Sequence, residues 1–219
     1  MYVIIIGGGR IGKVLIDMLI DDGNQVVIIE KDADSVKYIA ENYDVLAIKG
    51  DGAEANYLED ANIHKADVVV AATGNDQVNF VACQLAKSRY EVQKVVARTS
   101  NPMNKILYEK LGVDVVVSTT ESSARALYSG IEGFSSLITF GKGEVILVQA
   151  IISAQSPVVD KRIKDIHLPW GCLISSIYRQ GDIIIPQGNE IIKEKDQLAI
   201  MTKKQLENKV KEIIIGKVK

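Results

Sequence analysis

The chain opens on an apolar, mostly β-branched run, Val3–Ile6, that ends in three consecutive glycines. A short uninterrupted run of this kind predicts a strand buried on both faces. Ile11, Val14, Leu15, Met18 and Leu19 then recur at helical spacing and predict one apolar helix stripe, stopped by Asp21-Asp22-Gly23-Asn24. Val26–Ile29 predicts the next strand. Val36, Ile39, Ala40 and Tyr43 predict a second helix, with Asp32 or Asp34 as its N-cap. The alternation continues with strands at Val45–Ile48 and Val68–Ala72, then a helical face of Val78, Val81, Ala82, Leu85 and Ala86. Val95–Ala97 and Val115–Val117 read as strands five and six, with a helix over Pro102–Leu111 between them. Glu121–Gly133 is expected to be a crossover helix, and Phe134–Gly143 a linker.

Strands alternating with helices predict an α/β fold, a Rossmann-like parallel sheet wound by right-handed crossovers and covered on both faces. A small α+β C-terminal domain is expected to follow, giving boundaries of 1–133 and 134–219. In sheets of this kind ligands sit at the carboxyl ends of the strands, where the strand order reverses.

Gly7-Gly8-Gly9-Arg10-Ile11-Gly12 fits the G-x-G-x-x-G pattern directly between a strand and an amphipathic helix. Gly7 allows the tight turn, Gly9 lets backbone approach a pyrophosphate, and Gly12 permits close packing of helix on strand. The helix start, Arg10-Ile11-Gly12, offers free N–H groups to phosphate, and the Arg10 guanidinium stands at the mouth of that site. Glu30 ends the second strand 18 residues after Gly12, where an acid accepts hydrogen bonds from ribose hydroxyls. A carboxylate there repels a 2′-phosphate and favours NAD, ATP or ADP over NADP, an argument that the adjacent Lys31 weakens. Asp51-Gly52 and Thr73-Gly74-Asn75-Asp76 are polar turns at the next two strand ends. They are placed to reach adenine and the second half of a dinucleotide, and they also satisfy ordinary turn chemistry without a ligand. Arg98, past the fifth strand, faces either phosphate or a carboxylate, with a structural ion pair the favoured expectation.

Composition narrows this only slightly. The 219 residues are 47% hydrophobic and 25% charged with a formal charge of −2, which gives no global signal for nucleic acid. Residues 1–133 carry 13 Lys/Arg against 19 Asp/Glu, and residues 134–219 carry 13 against 9, so the halves differ in sign. Cys83 and Cys172, each in an apolar run, read as buried small hydrophobes and not as a disulfide or a metal site. No apolar run approaches the roughly 20 residues of a membrane span. The expectation is a cytoplasmic protein that meets the membrane's inner face only through a partner.

The phosphate loop, Glu30-Lys31-Asp32, Gly50-Asp51-Gly52 and Leu111–Ser118 together resemble the RCK (KTN) domain. The second half is similar to the C-terminal regulatory domain of TrkA-like proteins. The segments that carry this likeness are Ser156–Ile163, Leu168-Pro169-Trp170-Gly171, the strand Cys172–Tyr178, the turn Arg179-Gln180-Gly181-Asp182 and Lys195-Asp196-Gln197-Leu198. The resemblance implies a regulator of potassium channels or Trk/Ktr transporters that binds NAD(H) or ATP/ADP as a signal, in a homo-dimer or larger ring. It implies Arg10 at phosphate, Glu30 at ribose, and Asp51 with Gly52 on the adenine side. Many members hold a divalent cation with a Ser-Pro-Glu acid. Here the run is Ser118-Thr119-Thr120-Glu121, so Glu121 is expected to cap the following helix and a cation stays open. Lys195, where the family commonly has glycine, is expected to be inconsequential. Some members bind cyclic di-AMP in the second half; no residue here marks such a site.

A nicotinamide-dependent dehydrogenase shares the glycine loop and is the alternative. It needs a positioned acid/base at the ligand end of the sheet. Of the two histidines, His64 precedes the fourth strand at the opposite end and His167 falls in a C-terminal loop. No Tyr-x-x-x-Lys pair follows a strand on the ligand side. The expectation is therefore a sensor without catalysis. An apolar stripe of Ala124, Leu127, Tyr128, Ile131 and Phe134 on the crossover helix is expected to be covered by the C-terminal domain or by another subunit, and the resemblance implies a second subunit.

Overall fold

The computed structural model describes residues 1–140 and 144–216. It divides into two compact units, Met1–Ser123 and Ala124–Lys219.

The first unit runs β1 (Tyr2–Ile6), α1 (Arg10–Asp21), β2 (Gln25–Glu30), α2 (Ala33–Asn42), β3 (Leu46–Lys49), α3 (Ala55–Asp60), β4 (Val68–Ala71), α4 (Asp76–Gln84), β5 (Lys94–Thr99), α5 (Pro102–Lys110) and β6 (Val115–Ser118). The six strands are all parallel, in the order β3-β2-β1-β4-β5-β6. The order reverses between β1 and β4, which opens the ligand crevice over their carboxyl ends. Ile4, Ile6, Val27 and Ile29 point to one face of the sheet, and Val3, Ile5, Val26 and Ile28 to the other. Both faces are buried, which is why these strands read as continuous apolar runs.

The helix faces differ in detail from the expected stripes. On α1 the inward line passes through Gly12, Ile16, Leu19 and Ile20, while Ile11, Val14 and Met18 are exposed. Gly12 sets this rotation. A Cβ there would lie 2.0 Å from the Gly7 carbonyl oxygen, so helix and loop touch at that point. On α4 the inward residues are Asn79, Ala82 and Cys83, and Val81 faces outward. Helix α3 and a 3₁₀ turn at Ile63–Lys65 were not among the expected elements, yet Leu58, Ala61 and Ile63 are fully packed core. As predicted, α2 is capped by Asp32, whose side chain accepts from the Ser35 N–H at 2.8 Å.

Helix α6 (Thr119–Glu132) crosses the divide between the units. It starts two residues earlier than expected. The Ser118 hydroxyl accepts the Glu121 N–H at 3.3 Å, and Glu121 lies in the helix's first turn.

The second unit continues with β7 (Phe134–Phe140), β8 (Val145–Ile151), β9 (Cys172–Arg179), β10 (Asp182–Ile184), β11 (Gln197–Lys203) and α7 (Glu207–Ile215). Its antiparallel sheet has the order β10-β9-β11-β8-β7. The expected linker is thus corrected: residues 134–140 form a strand paired with β8, while Gly141 and Gly143 lie outside the described residues. Phe134 is corrected with it, being 4% exposed in the second unit's core and not part of a helix stripe. Ile146, Val148, Ala150, Ile174, Ile177, Leu198 and Ile200 line the sheet's core face, with Val210 and Ile214 of α7 in the same cluster. The Arg179–Asp182 turn forms as expected, with Arg179 paired to Asp182.

Cys83 is buried, and burial pushes its thiol up to about 12, which leaves it inert. Cys172 is only half-buried, against expectation, because it begins β9 near the rim of that core. Among the described residues no helix is long and apolar enough to cross a membrane.

Candidate functional site

The glycine loop joins β1 to α1 at the crevice. Gly7 has φ +106°, a left-handed backbone that favours glycine, and a Cβ there would sit 2.9 Å from the Thr73 nitrogen. Gly9 is the N-cap of α1 in extended conformation and makes no side-chain cap. By contrast α2, α4 and α5 are capped by Asp32, Asn75 and Asn101. The first-turn N–H groups of Arg10, Ile11 and Gly12 therefore form an anion-ready end, with the helix dipole adding positive potential. A Cβ built at Gly9 meets nothing within 4 Å, so the protein itself leaves the approach to this loop open.

Glu30 ends β2 beside the loop. One carboxylate oxygen accepts the Gly8 N–H and the other accepts the Asp32 N–H at 2.8 Å. These bonds fix the acid next to the phosphate loop, where a ribose would meet it. Lys31 does not turn toward that position: its ammonium pairs with Asp51 at 3.1 Å. The Ala53 N–H, and after it Lys31, holds the Asp51 carboxyl below the usual carboxylate range despite partial burial. Gly52 is small for a packing reason, since a Cβ there would come 2.2 Å from the Ile6 side chain.

At the end of β4, Thr73 and Asn79 build the turn. Asn79 is fully buried and accepts from the Thr73 N–H at 2.9 Å and from the Thr73 hydroxyl at 2.6 Å. It also donates to the backbone oxygens of Thr73 and Arg98. The Asn75 side chain caps α4 by accepting from Gln77 and Val78. An ion pair is the favoured expectation for Arg98, and the partners described for it are two carbonyls and a hydroxyl. Its guanidinium donates to the Thr73 carbonyl at 3.0 Å, reaches the Ala72 carbonyl at 3.5 Å, and touches the Thr119 hydroxyl at 3.3 Å.

Asn79 was not marked in the sequence, and Asp76 stood there only as the end of the polar turn after β4. Asp76 accepts from Thr99, Ser100, Asn101 and Asn104, tying α4 to the β5–α5 loop. Burial raises its carboxyl, but those four donors outweigh burial and hold it below the usual range. The available signal for Asn79 was a polar residue three and four positions before the buried Ala82 and Cys83.

The structure thus brings Gly7, Gly9, Arg10, Ile11, Gly12, Glu30, Lys31, Asp51 and Gly52 to one end of the sheet, with Thr73, Gly74, Asn75 and Arg98 on the β4–β5 side of the same crevice. Among the described residues no group of three or more His, Cys, Asp or Glu side chains is placed to hold a metal ion.

Strand order and glycine loop define a Rossmann-type unit, here joined to a small antiparallel unit. The TrkA-N domain family matches residues 3–119 and the TrkA-C domain family residues 147–215. The chain belongs to the TrkA family. It is 38% identical to the Trk system potassium uptake protein TrkA homolog of Methanothermobacter thermautotrophicus, over 93% of this chain and 94% of that one. It is 30% identical to the Trk system potassium uptake protein TrkA of Mycobacterium tuberculosis, over 98% and 99%. The fold is similar to that of the GsuK channel bound to NAD, with a TM-score of 0.74 at 20% identity. That match covers all of this chain and 40% of the channel chain, so this chain spans under half its length. The AMP-bound Kef C-terminal domain of Shewanella denitrificans matches 58% of this chain and 77% of its own length, at 28% identity and a TM-score of 0.51.

Proposed function

We propose that this chain is the nucleotide-sensing subunit of a Trk-type potassium uptake system, acting on a membrane-embedded transporter or channel from its cytoplasmic side. The observation that carries the reading is the uncapped start of α1 at a glycine whose approach is open, beside a fixed ribose acid, in a chain of the TrkA family. The ligand is an adenine nucleotide, NAD(H) or ATP/ADP. Its phosphates lie on the N–H groups of residues 10–12 with Arg10 as counter-charge, and its ribose meets Glu30. Gating follows if the nucleotide binds one shape of a homo-oligomeric ring more tightly than another, since only differential affinity shifts such an equilibrium.

Catalysis is not part of this reading. His64 stacks edge-on against Tyr90 just before β4, at the amino end of the sheet, and His167 belongs to the second unit. His64 is therefore not a candidate acid at the carboxyl ends of the strands.

Calorimetric titration of NAD, NADH, ATP, ADP and NADP is the test. At least one adenine nucleotide is expected to bind, NADP more weakly than NAD. Gly9→Val is expected to weaken binding by roughly a hundredfold or more while the protein stays folded, because the branched side chain takes the pyrophosphate's place. Unchanged affinity in that variant would overturn the phosphate-loop assignment.

A further inference from the structure

Among the described residues the first unit buries three polar side chains, and all three lie at the carboxyl ends of β4, β5 and β6. Asn79 follows β4 in α4, Thr99 ends β5 and Ser118 ends β6. The rest of that core is built from apolar clusters. Burying polar groups in one corner costs desolvation that apolar residues would not incur. Once hydrogen-bonded, such a corner has discrete arrangements and does not slide freely. From this corner the chain enters α6 without a loop, since Ser118 ends β6 and Thr119 begins the helix that leads into the second unit.

Arg98 spans the corner. Its Nη1 donates to the Thr73 carbonyl at 3.0 Å and its Nε to the Thr119 hydroxyl at 3.3 Å, so one planar group touches both the crevice turn and the first residue of α6. The Thr119 hydroxyl donates in turn to the Thr99 carbonyl at 3.4 Å. The two ends of this link are unequal. The crevice contact has an ordinary N–H···O length, and Asn79 fixes it from both sides by accepting the Thr73 N–H at 2.9 Å and donating to the Arg98 carbonyl at 3.0 Å. The two helix contacts lie beyond the usual length, so a shift of well under an ångström makes or breaks them. Thr73 also abuts the glycine loop, because a Cβ at Gly7 would sit 2.9 Å from its nitrogen.

We propose that Arg98 is a positioning residue that couples occupancy of the crevice to helix α6, through the Thr119 hydroxyl. This rests on the adenine-nucleotide reading and adds how a bound ligand is felt outside the crevice. A nucleotide seated on the glycine loop restrains Thr73, Thr73 restrains the guanidinium, and the guanidinium engages Thr119 where α6 starts. The link moves α6 only to the extent that the ligand favours the engaged arrangement over the released one. Arginine suits this task better than lysine, because its rigid fork aims separate N–H donors at two acceptors while an ammonium is a single point of charge. The Thr119 hydroxyl suits it too, since it accepts from Arg98 while donating to Thr99, so the loss of one partner disturbs the other.

Calorimetry and hydrogen–deuterium exchange on the full chain, both with the tightest-binding of NAD, NADH, ATP and ADP, test the coupling. In the wild type the nucleotide is expected to slow amide exchange along α6 by roughly fivefold or more. Thr119→Val is expected to bind the nucleotide within about threefold of wild type and to lose most of that slowing, while Thr119→Ser restores it. Thr119→Ala removes the same hydroxyl without a branched side chain and should behave like Thr119→Val. A hydroxyl that only braced the fold would lower the melting temperature and leave the nucleotide-dependent slowing intact, and that result would overturn the coupling. So would a wild type whose α6 exchange ignores a bound nucleotide, or a Thr119→Val protein whose affinity falls by roughly tenfold or more, and the phosphate-loop reading survives both. A wild type that binds none of the four would overturn both readings.

Discussion

At the scale of single residues, a side chain's neighbours decide what its identity means. Glu30 and Arg98 are both polar residues at strand ends, yet one holds the phosphate loop and the other braces the adjacent turn. Lys195 shows the reverse case, a residue whose cost lies in its backbone. Expected to be inconsequential, it takes φ +69°, where a Cβ crowds the following carbonyl, while its N–H still donates to the Ile152 carbonyl at 2.8 Å. Lys195→Gly keeps that bond and removes the crowding. Unfolded-state entropy takes back part of the gain, so a net stabilisation of about 0.5–1 kcal/mol is expected. A urea melt reads it directly, and a lower midpoint would show that Lys195 makes some compensating contact.

Among the elements, a buried ion pair in the second unit joins β9 to the start of β11. Asp196 is 0% exposed, and Arg179 meets it with two nitrogens at 2.7 and 2.8 Å while also pairing with Glu190 at 3.0 Å. Burial alone would raise the Asp196 carboxyl. The Arg179 guanidinium and the Lys193 N–H outweigh it and hold the group below the usual range. The folded pKa is therefore depressed, so the stability it contributes is full above the unfolded value of about 4 and is lost as pH falls through the folded one. The second unit is expected to melt at progressively lower temperature below about pH 4. Asp196→Asn should cost about 3–5 kcal/mol at neutral pH and flatten that acid dependence, because it leaves a desolvated guanidinium without its nearest charge. Melts from pH 7 to pH 3 on both proteins check the sign. Equal acid dependence would place the effect in other carboxylates.

At the scale of the whole molecule, the crossover helix exposes what a lone chain has no reason to expose. Leu127 is 73% and Ile131 81% exposed, with half-exposed Tyr128 between them under the Lys211 ammonium. A second copy is the expected cover, giving a dimer or larger assembly that a nucleotide can reshape. Leu127→Asp with Ile131→Asp is expected to shift wild-type assemblies toward folded monomers in light scattering. Phe134→Asp is the contrasting control, since it buries a charge in the second unit's core and should unfold that unit by several kcal/mol instead. A wild type that is monomeric at micromolar concentration would remove the shared interface.

The alternation of runs and stripes determined the first unit almost completely. Strands buried on both faces, a loop of glycines and an acid at the next strand end are local features, written at fixed spacing and legible without neighbours. The rotation of α1 was not legible, because its apolar residues form two overlapping stripes and only the contact of Gly12 with Gly7 chooses between them. Nor was the role of Phe134–Phe140, since a strand that completes a sheet by pairing with β8 depends on a partner whose register no local pattern states. Asn79 and Arg98 belong to the same class. Hydrogen-bonding partners 19 to 26 residues away are brought to them only by the stacking of β4, β5 and α4. Residue spacing fixes what a short segment prefers, and the tertiary structure decides which of its polar groups are left for a ligand.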